Sequence, residues 1–159
     1  RPVQNQLHGH LARANPLWRE HPDGADVLAV FTGAQAYISP NWYPTKQEHG
    51  KAVPTWNYIT VQARGKLRVV DDASWVRAFL DDLTTIHEAG EPVPWKMGDA
   101  PPDYIDSMLK AVVGIVLEIT ELTGKWKVSQ NQPVVNRAGV AATLTARGNP
   151  LAGDIPTDA

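Results

Sequence analysis

Apolar and polar residues alternate along much of this chain, and that period of two is the mark of half-buried β-strands. Gln6-Leu7-His8-Gly9-His10-Leu11 alternates in this way and predicts a first strand, ended by Asn15-Pro16, because the residue before proline is steered away from helix. Asp23-Gly24 signals a turn. Val27-Leu28-Ala29-Val30-Phe31 then predicts a short buried strand, with a turn at Gly33 and a hairpin partner in Ala34-Gln35-Ala36-Tyr37-Ile38. From Ser39 to Pro54 the punctuation by Pro40, Asn41, Pro44, Gly50 and Pro54 predicts a loop, in which Trp42 and Tyr43 are unusual occupants. The longest strand signal runs from Trp56 to Val70. Trp56, Tyr58, Thr60 and Gln62 share one face, Asn57, Ile59, Val61 and Ala63 the other, and Gly65 marks a bulge or turn.

The period then changes. Asp71 and Asp72 offer N-cap oxygens, Val76, Phe79, Leu80, Leu83 and Ile86 follow helical spacing, and Gly90 supplies a stop. A proline-rich link from Pro92 to Pro102 leads to a short helix near Tyr104 to Lys110. Val112 to Thr120 reads as a β-branched strand, Gly124 as a turn and Trp126-Lys127-Val128 as a returning strand. Asn136 to Arg147 predicts a last helix, and residues from Gly148 onward a loose tail. Strands dominate and helices interrupt them, which suggests a mainly β (α+β) chain whose antiparallel sheet closes into a small barrel with peripheral helices. A doubly wound parallel sheet would require a regular strand–helix alternation that the pattern lacks. No internal repeat is present.

The size of the chain, 159 residues, suits one domain, expected over residues 1–147 with the tail at 148–159. It opens at Arg1-Pro2 without an initiator methionine, so the domain is expected to be incomplete at its N-terminus. Charge narrows the function. A net charge of -2, an isoelectric point near 6.2 and interspersed signs give no basic stripe for nucleic acid, and direct DNA binding is not expected. The absence of cysteine excludes disulfides and thiolate chemistry and fits a cytoplasmic protein. No apolar run approaches the roughly 20 residues of a membrane span. Six tryptophans are many for this length and point to a core, an interface or a ligand pocket.

Three stretches carry candidate chemistry. In His8-Gly9-His10-Leu11-Ala12-Arg13-Ala14-Asn15 the two histidines fall on one side of a strand. Such a pair can ligate a metal, but no third ligand stands at a telling spacing, and ordinary packing is the simpler reading. Arg13 and Asn15 sit where strand gives way to turn, and a guanidinium with an amide there can grip a phosphate; a surface arginine is the alternative. The second stretch, Tyr37-Ile38-Ser39-Pro40-Asn41-Trp42-Tyr43-Pro44 with Val53-Pro54-Thr55-Trp56-Asn57-Tyr58, mixes aromatic and small hydrogen-bonding residues. That mixture suits a flat heteroaromatic ligand or an aromatic subunit interface. In the third, Gly124-Lys125-Trp126-Lys127-Val128-Ser129-Gln130-Asn131, two lysines beside Ser, Gln and Asn can meet a phosphate or a partner chain, or end an exposed hairpin.

The strings YISPNWY, VPTWNY and GKWKVSQN, in this order and spacing, together with HGHLARANPLW, resemble the PaiB family of FMN-binding split-barrel proteins, usually described as transcriptional regulators. The resemblance runs from Gln6 to Arg147. It implies an antiparallel split β-barrel that works as a homodimer with FMN between subunits. By placement within such a fold, His10, Arg13 and Asn15 are expected at the flavin phosphate, Thr55, Trp56 and Asn57 near the isoalloxazine, and Lys127 and Ser129 also in the cofactor site. No catalytic residue and no metal ligand is assigned. The alternatives are an FMN-dependent oxidoreductase acting on a small substrate, in which the cofactor carries the electrons, and a barrel that binds a non-flavin ligand such as haem.

Overall fold

The computed structural model describes residues 2–3, 5–21 and 23–158. Its strands are β1 (Pro2–Val3), β2 (Gln6–Ala12), β3 (Asp26–Ile38), β4 (Thr55–Val70) and β5 (Val112–Lys127). Its α-helices are α1 (Leu17–Glu20), α2 (Lys46–His49), α3 (Ala73–Glu88), α4 (Pro102–Lys110) and α5 (Val134–Ala146), with short 3₁₀ turns at Pro40–Trp42, Met97–Asp99 and Pro150–Asp154. The strands form one sheet in the order β1-β2-β5-β4-β3. The β2–β5 pair is antiparallel, with Gln6 opposite Glu118 and Ala12 opposite Val112.

Two compact units share the chain: residues 1–28 with 64–121, and residues 29–63 with 122–159. In the first, Leu67, Val70, Val76, Ile105, Val113, Val116 and Leu117 are buried. The sequence pattern of α3 is realised here. Asp72 caps the helix by accepting from the backbone N–H groups of Ser74 and Trp75, at 2.8 and 2.9 Å. Trp75 and Phe79, one turn apart, stack at 5.3 Å, and the His8 and His10 rings of β2 lie 5.5 Å from Trp75 and 6.1 Å from Phe79. The two histidines therefore pack against an aromatic pair. In the second unit one core cluster gathers Ala36, Ile38, Tyr43, Val128, Val140, Leu144, Leu151 and Ile155.

Several expectations are corrected. β3 is one strand through Gly33, and β4 and β5 run unbroken through Gly65 and Gly124. None of these glycines has a positive φ. Each instead makes room: a Cβ at Gly33 would stand 3.3 Å from Ile59 Cβ, at Gly65 2.0 Å from the Glu118 carbonyl oxygen, and at Gly124 2.5 Å from the Trp126 ring. A glycine that admits a neighbour looks, in sequence, like one that permits a turn. β3 stands at the end of the strand order, and Leu28, Val30 and Phe31 are half-exposed rather than buried. The segment from Gly148 is packed: Leu151 is fully buried and Ile155 nearly so.

The acid side of the stability profile follows from two capping and pairing contacts. Hydrogen bonding by the Arg13 guanidinium holds the Asp71 carboxyl below its ordinary value, and the Ser74 hydroxyl with two backbone N–H groups does the same for Asp72. Because both folded-state values lie below the unfolded ones, their contribution is complete above about pH 4 and is lost as pH falls through the folded values. Both groups are solvent-exposed, so the effect is modest and weakened by salt. Thermal melts should show a midpoint insensitive to these groups above about pH 4 and falling below it, with Asp71→Asn and Asp72→Asn each flattening that fall.

Candidate cofactor site

In the first unit β2 ends at Ala12 and the backbone N–H of Arg13 donates to the Ala111 carbonyl at 2.7 Å, fixing the turn beside the start of β5. The Arg13 guanidinium has four of its five N–H donors engaged. It donates twice to Asp71, at 2.9 and 2.5 Å, through Nε to the Lys110 carbonyl at 2.8 Å, and to the Val112 carbonyl at 3.1 Å. The hydrogen bond and charge of Asp71 raise its pKa further above an already high ordinary value, and desolvation partly opposes them. An anion arriving at Arg13 therefore competes with the Asp71 carboxylate for its fork. Arg13 and Arg19 also flank the Trp18 ring, at 5.5 and 4.6 Å. Asn15 accepts from the backbone N–H of Leu17 at 3.0 Å and so opens α1, while His10 faces Phe79. The sequence gives no sign that Asp71, legible as a helix-start residue, is also the partner of Arg13 from 58 positions away.

In the second unit the start of β4 meets the end of β5. Lys127 Nζ donates to Thr55 Oγ1 at 2.8 Å, and among the described residues no carboxylate pairs with that ammonium. One alternation further along, Asn57 Nδ2 donates to Ser129 Oγ at 2.7 Å, and both residues are buried. Ser129 adopts a left-handed backbone with φ 63° just after the strand. Buried Tyr43 bonds to the same Ser129; burial pushes its phenol above the ordinary value and that bond partly opposes the shift. The Asn57 Oδ1 atom is buried without a hydrogen-bond partner, an arrangement costly enough to ask for an acceptor's role. Asn57 and Ser129 thus shape the site from beneath.

Trp56 points the other way along β4 and is half-exposed. Its indole N–H donates to Gln35 Oε1 at 3.1 Å, and Tyr37 meets it edge-on at 6.4 Å between ring centres. The Trp56 ring borders a shallow cavity of about 230 Å³ lined by Thr32, Gly33, Gln35, Trp56, Tyr58 and Thr60. Gln35, which holds the indole in place, was not among the expected site residues; its position two residues before Tyr37 on β3 was the available signal. The second unit thus brings Thr55 to Lys127 and Asn57 to Ser129, with Trp56 on the opposite face of β4. His10, Arg13 and Asn15 belong to the first unit.

A family described as "Putative FMN-binding domain" matches residues 1–121. This chain belongs to that FMN-binding family. A Bacillus subtilis protein named protease synthase and sporulation protein PAI 2 is 33% identical over 149 residues, covering 91% of this chain and 67% of that protein. An uncharacterised Aspergillus fumigatus protein is 37% identical over 168 residues, 84% of this chain and 64% of its own length, so the chain spans just under two thirds of that relative. Among solved structures, the flavocytochrome Anf3 from Azotobacter vinelandii shares the fold with a TM-score of 0.51 at 16% identity, over 79% of this chain and 51% of that one. The fold class is the antiparallel split β-barrel of the FMN-binding type with peripheral helices, as the sequence resemblance implied. FMN is the cofactor of the family. The residues fit such a group on either face of β4: on one, an open indole held by Gln35 offers a flat wall, and on the other a lysine that bonds a threonine hydroxyl and, among the described residues, no carboxylate offers donors to an electron-rich edge or a phosphate. No helix among the described residues is long and apolar enough to cross a membrane.

Proposed function

We propose that this chain is the FMN-binding part of a cytoplasmic, homodimeric flavoprotein with a transcriptional regulatory role of the PaiB kind. What supports the flavin reading is the match to the FMN-binding family, together with the half-exposed Trp56 indole held by Gln35. Trp56 offers one face of β4 for stacking on the ring system. Thr55 and Lys127, on the opposite face of that strand with Asn57 and Ser129 buried next to them, are the alternative contact, donating to the ring edge or the phosphate of a flavin bound there. In the first unit, taken by itself, the turn of His10, Arg13 and Asn15 is a separate candidate for the flavin phosphate, where Arg13 exchanges Asp71 for the incoming dianion. When bound, FMN supplies the redox chemistry, and the chain supplies position and electrostatics.

The dimer reading rests on incompleteness. A cavity of about 230 Å³ is below the roughly 300–1,000 Å³ usual for such ligands. Phe31, Tyr37 and Trp56 leave apolar surface half-exposed on β3 and β4, the kind of surface that a second copy covers. Regulation is then indirect, because a net charge of -2 offers little to a phosphate backbone.

Titrating FMN and riboflavin into the chain, with light scattering in parallel, tests the reading. Lys127→Ala should weaken FMN binding roughly 10- to 150-fold, the loss expected from one charge-assisted contact of about 1.5–3 kcal/mol. If Lys127 holds the phosphate, riboflavin is spared; if it holds the ring, both ligands weaken alike. If Arg13 holds the phosphate, Arg13→Ala instead is the substitution that separates the two ligands. A stable monomer that binds neither flavin overturns the proposal.

A further inference from the structure

Every described arginine except one has an acceptor. Arg13, Arg64, Arg68 and Arg77 face the carboxylates of Asp71, Glu121, Glu118 and Asp106. Arg19 and Arg137 donate to the carbonyls of Arg13 and Asp158. Arg147 has only an aromatic ring: its guanidinium lies 4.7 Å from the centre of Trp42, with no hydrogen bond or ion pair among the described residues. A stacked guanidinium keeps its in-plane N–H donors available while its face is held, which is a preorganised anion fork.

The surroundings make that fork part of a pocket. A cavity of about 380 Å³ within the second unit is lined by Tyr37, Trp42, Leu144, Arg147 and Pro150, and among the described residues no carboxylate lines it. The volume lies in the usual range for a small-molecule site, roughly 300–1,000 Å³. Its walls are fixed by backbone bonds. Helix α5 ends in a double turn: the N–H of Gly148, at φ 64°, bonds the Thr145 carbonyl, and that of Asn149 bonds the Leu144 carbonyl. Those bonds also satisfy carbonyls that would otherwise repel an anion at a helix C-terminus. Asn149 reaches across to the Gln35 carbonyl at 3.2 Å, and Trp42 is seated on α5, its carbonyl oxygen 2.2 Å from where a Cβ at Gly139 would stand.

We infer that this pocket binds a small aromatic carboxylate, with Arg147 taking the carboxylate in its fork and Tyr37 and Trp42 taking the ring. A carboxylate is favoured over a phosphate because one guanidinium in a largely apolar pocket compensates a single charge and not a dianion. The site is separate in kind from the flavin reading, although Tyr37, which lines it, also meets Trp56 edge-on, and it is tested without flavin.

The probes are benzoate, its neutral counterpart benzamide, and phenyl phosphate, followed by ligand-observed NMR and tryptophan fluorescence on the chain. Benzoate should bind saturably and at least about tenfold more tightly than benzamide, the difference that a charge-assisted contact supplies. Arg147→Ala should abolish that preference while leaving the weak benzamide binding in place. Arg147→Lys should restore only part of it, since lysine keeps the charge and loses the fork. Equal binding of benzoate and benzamide to the unaltered chain overturns the proposal, and this arm needs no variant to fold. A preference for phenyl phosphate over benzoate overturns the carboxylate assignment. Benzoate binding that survives Arg147→Ala unchanged overturns the role of Arg147. Failure of the chain to bind flavin leaves all of these outcomes readable.

Discussion

Replacing Gly65 by alanine is expected to cost this chain about 3 kcal/mol or more, enough to lower its thermal midpoint by roughly 6–12 °C. The new methyl would stand 2.0 Å from the Glu118 carbonyl oxygen, 2.8 Å from its carbon and 2.9 Å from Leu117 Cδ1. Two of those three atoms are backbone, so no rotamer change relieves the overlap. Nor can β5 retreat, because it lies between β4 and β2 and Glu118 is already in register with Gln6. Gly33→Ala is the matched control. There the nearest atom is a side-chain carbon at 3.3 Å, and β3 stands at the end of the sheet with room to yield. Its cost should stay within about 1 kcal/mol. Chemical denaturation of both variants decides the matter, and similar small losses would show that β4 and β5 do not approach as closely as described.

Leu151→Ala should be the most damaging single truncation in the C-terminal segment, at about 2–5 kcal/mol. Leu151 is fully buried in the cluster with Ile38, Tyr43, Val140 and Leu144, and the 3₁₀ turn that carries it is started by Asn149, which accepts from the Leu151 N–H at 2.9 Å. If the segment were a loose tail, the same change would stay within about 0.5 kcal/mol. A denaturant midpoint shift with unchanged slope measures it, and a null result would return the segment to solvent.

The candidate site was legible in uneven parts. The stretch around Trp56 and the lysine-rich stretch around Lys127 were both marked in advance, because aromatic residues among small hydrogen-bonding ones have few other uses. Their pairing, Thr55 with Lys127 and Asn57 with Ser129 across 72 positions, was not legible, since nothing local records a cross-strand neighbour. Arg13 was marked for its type and its place at a strand end. The carboxylate and two carbonyls that fill its fork come from residues 71, 110 and 112. Arg147 was seen only as the end of a helix, because its importance lies in what it lacks, and an absent partner leaves no trace in a sequence.

What the sequence determined by itself were the local periods and caps: the alternation through β4, the helical spacing and Asp72 cap of α3, and the helix before Gly148. Each of these depends on interactions within a few residues, where side-chain geometry and backbone propensity are strong enough to be read directly. Four strings of residues, kept in order, also carried the family and with it the split barrel and FMN. Only the tertiary structure decided which glycines turn the chain and which admit a neighbour, that β3 stands at the edge with its apolar residues half-exposed, and that Leu151 and Ile155 close a core. Those outcomes depend on contacts between distant segments, and a contact of that kind is set by the packing of the whole sheet rather than by either segment that makes it.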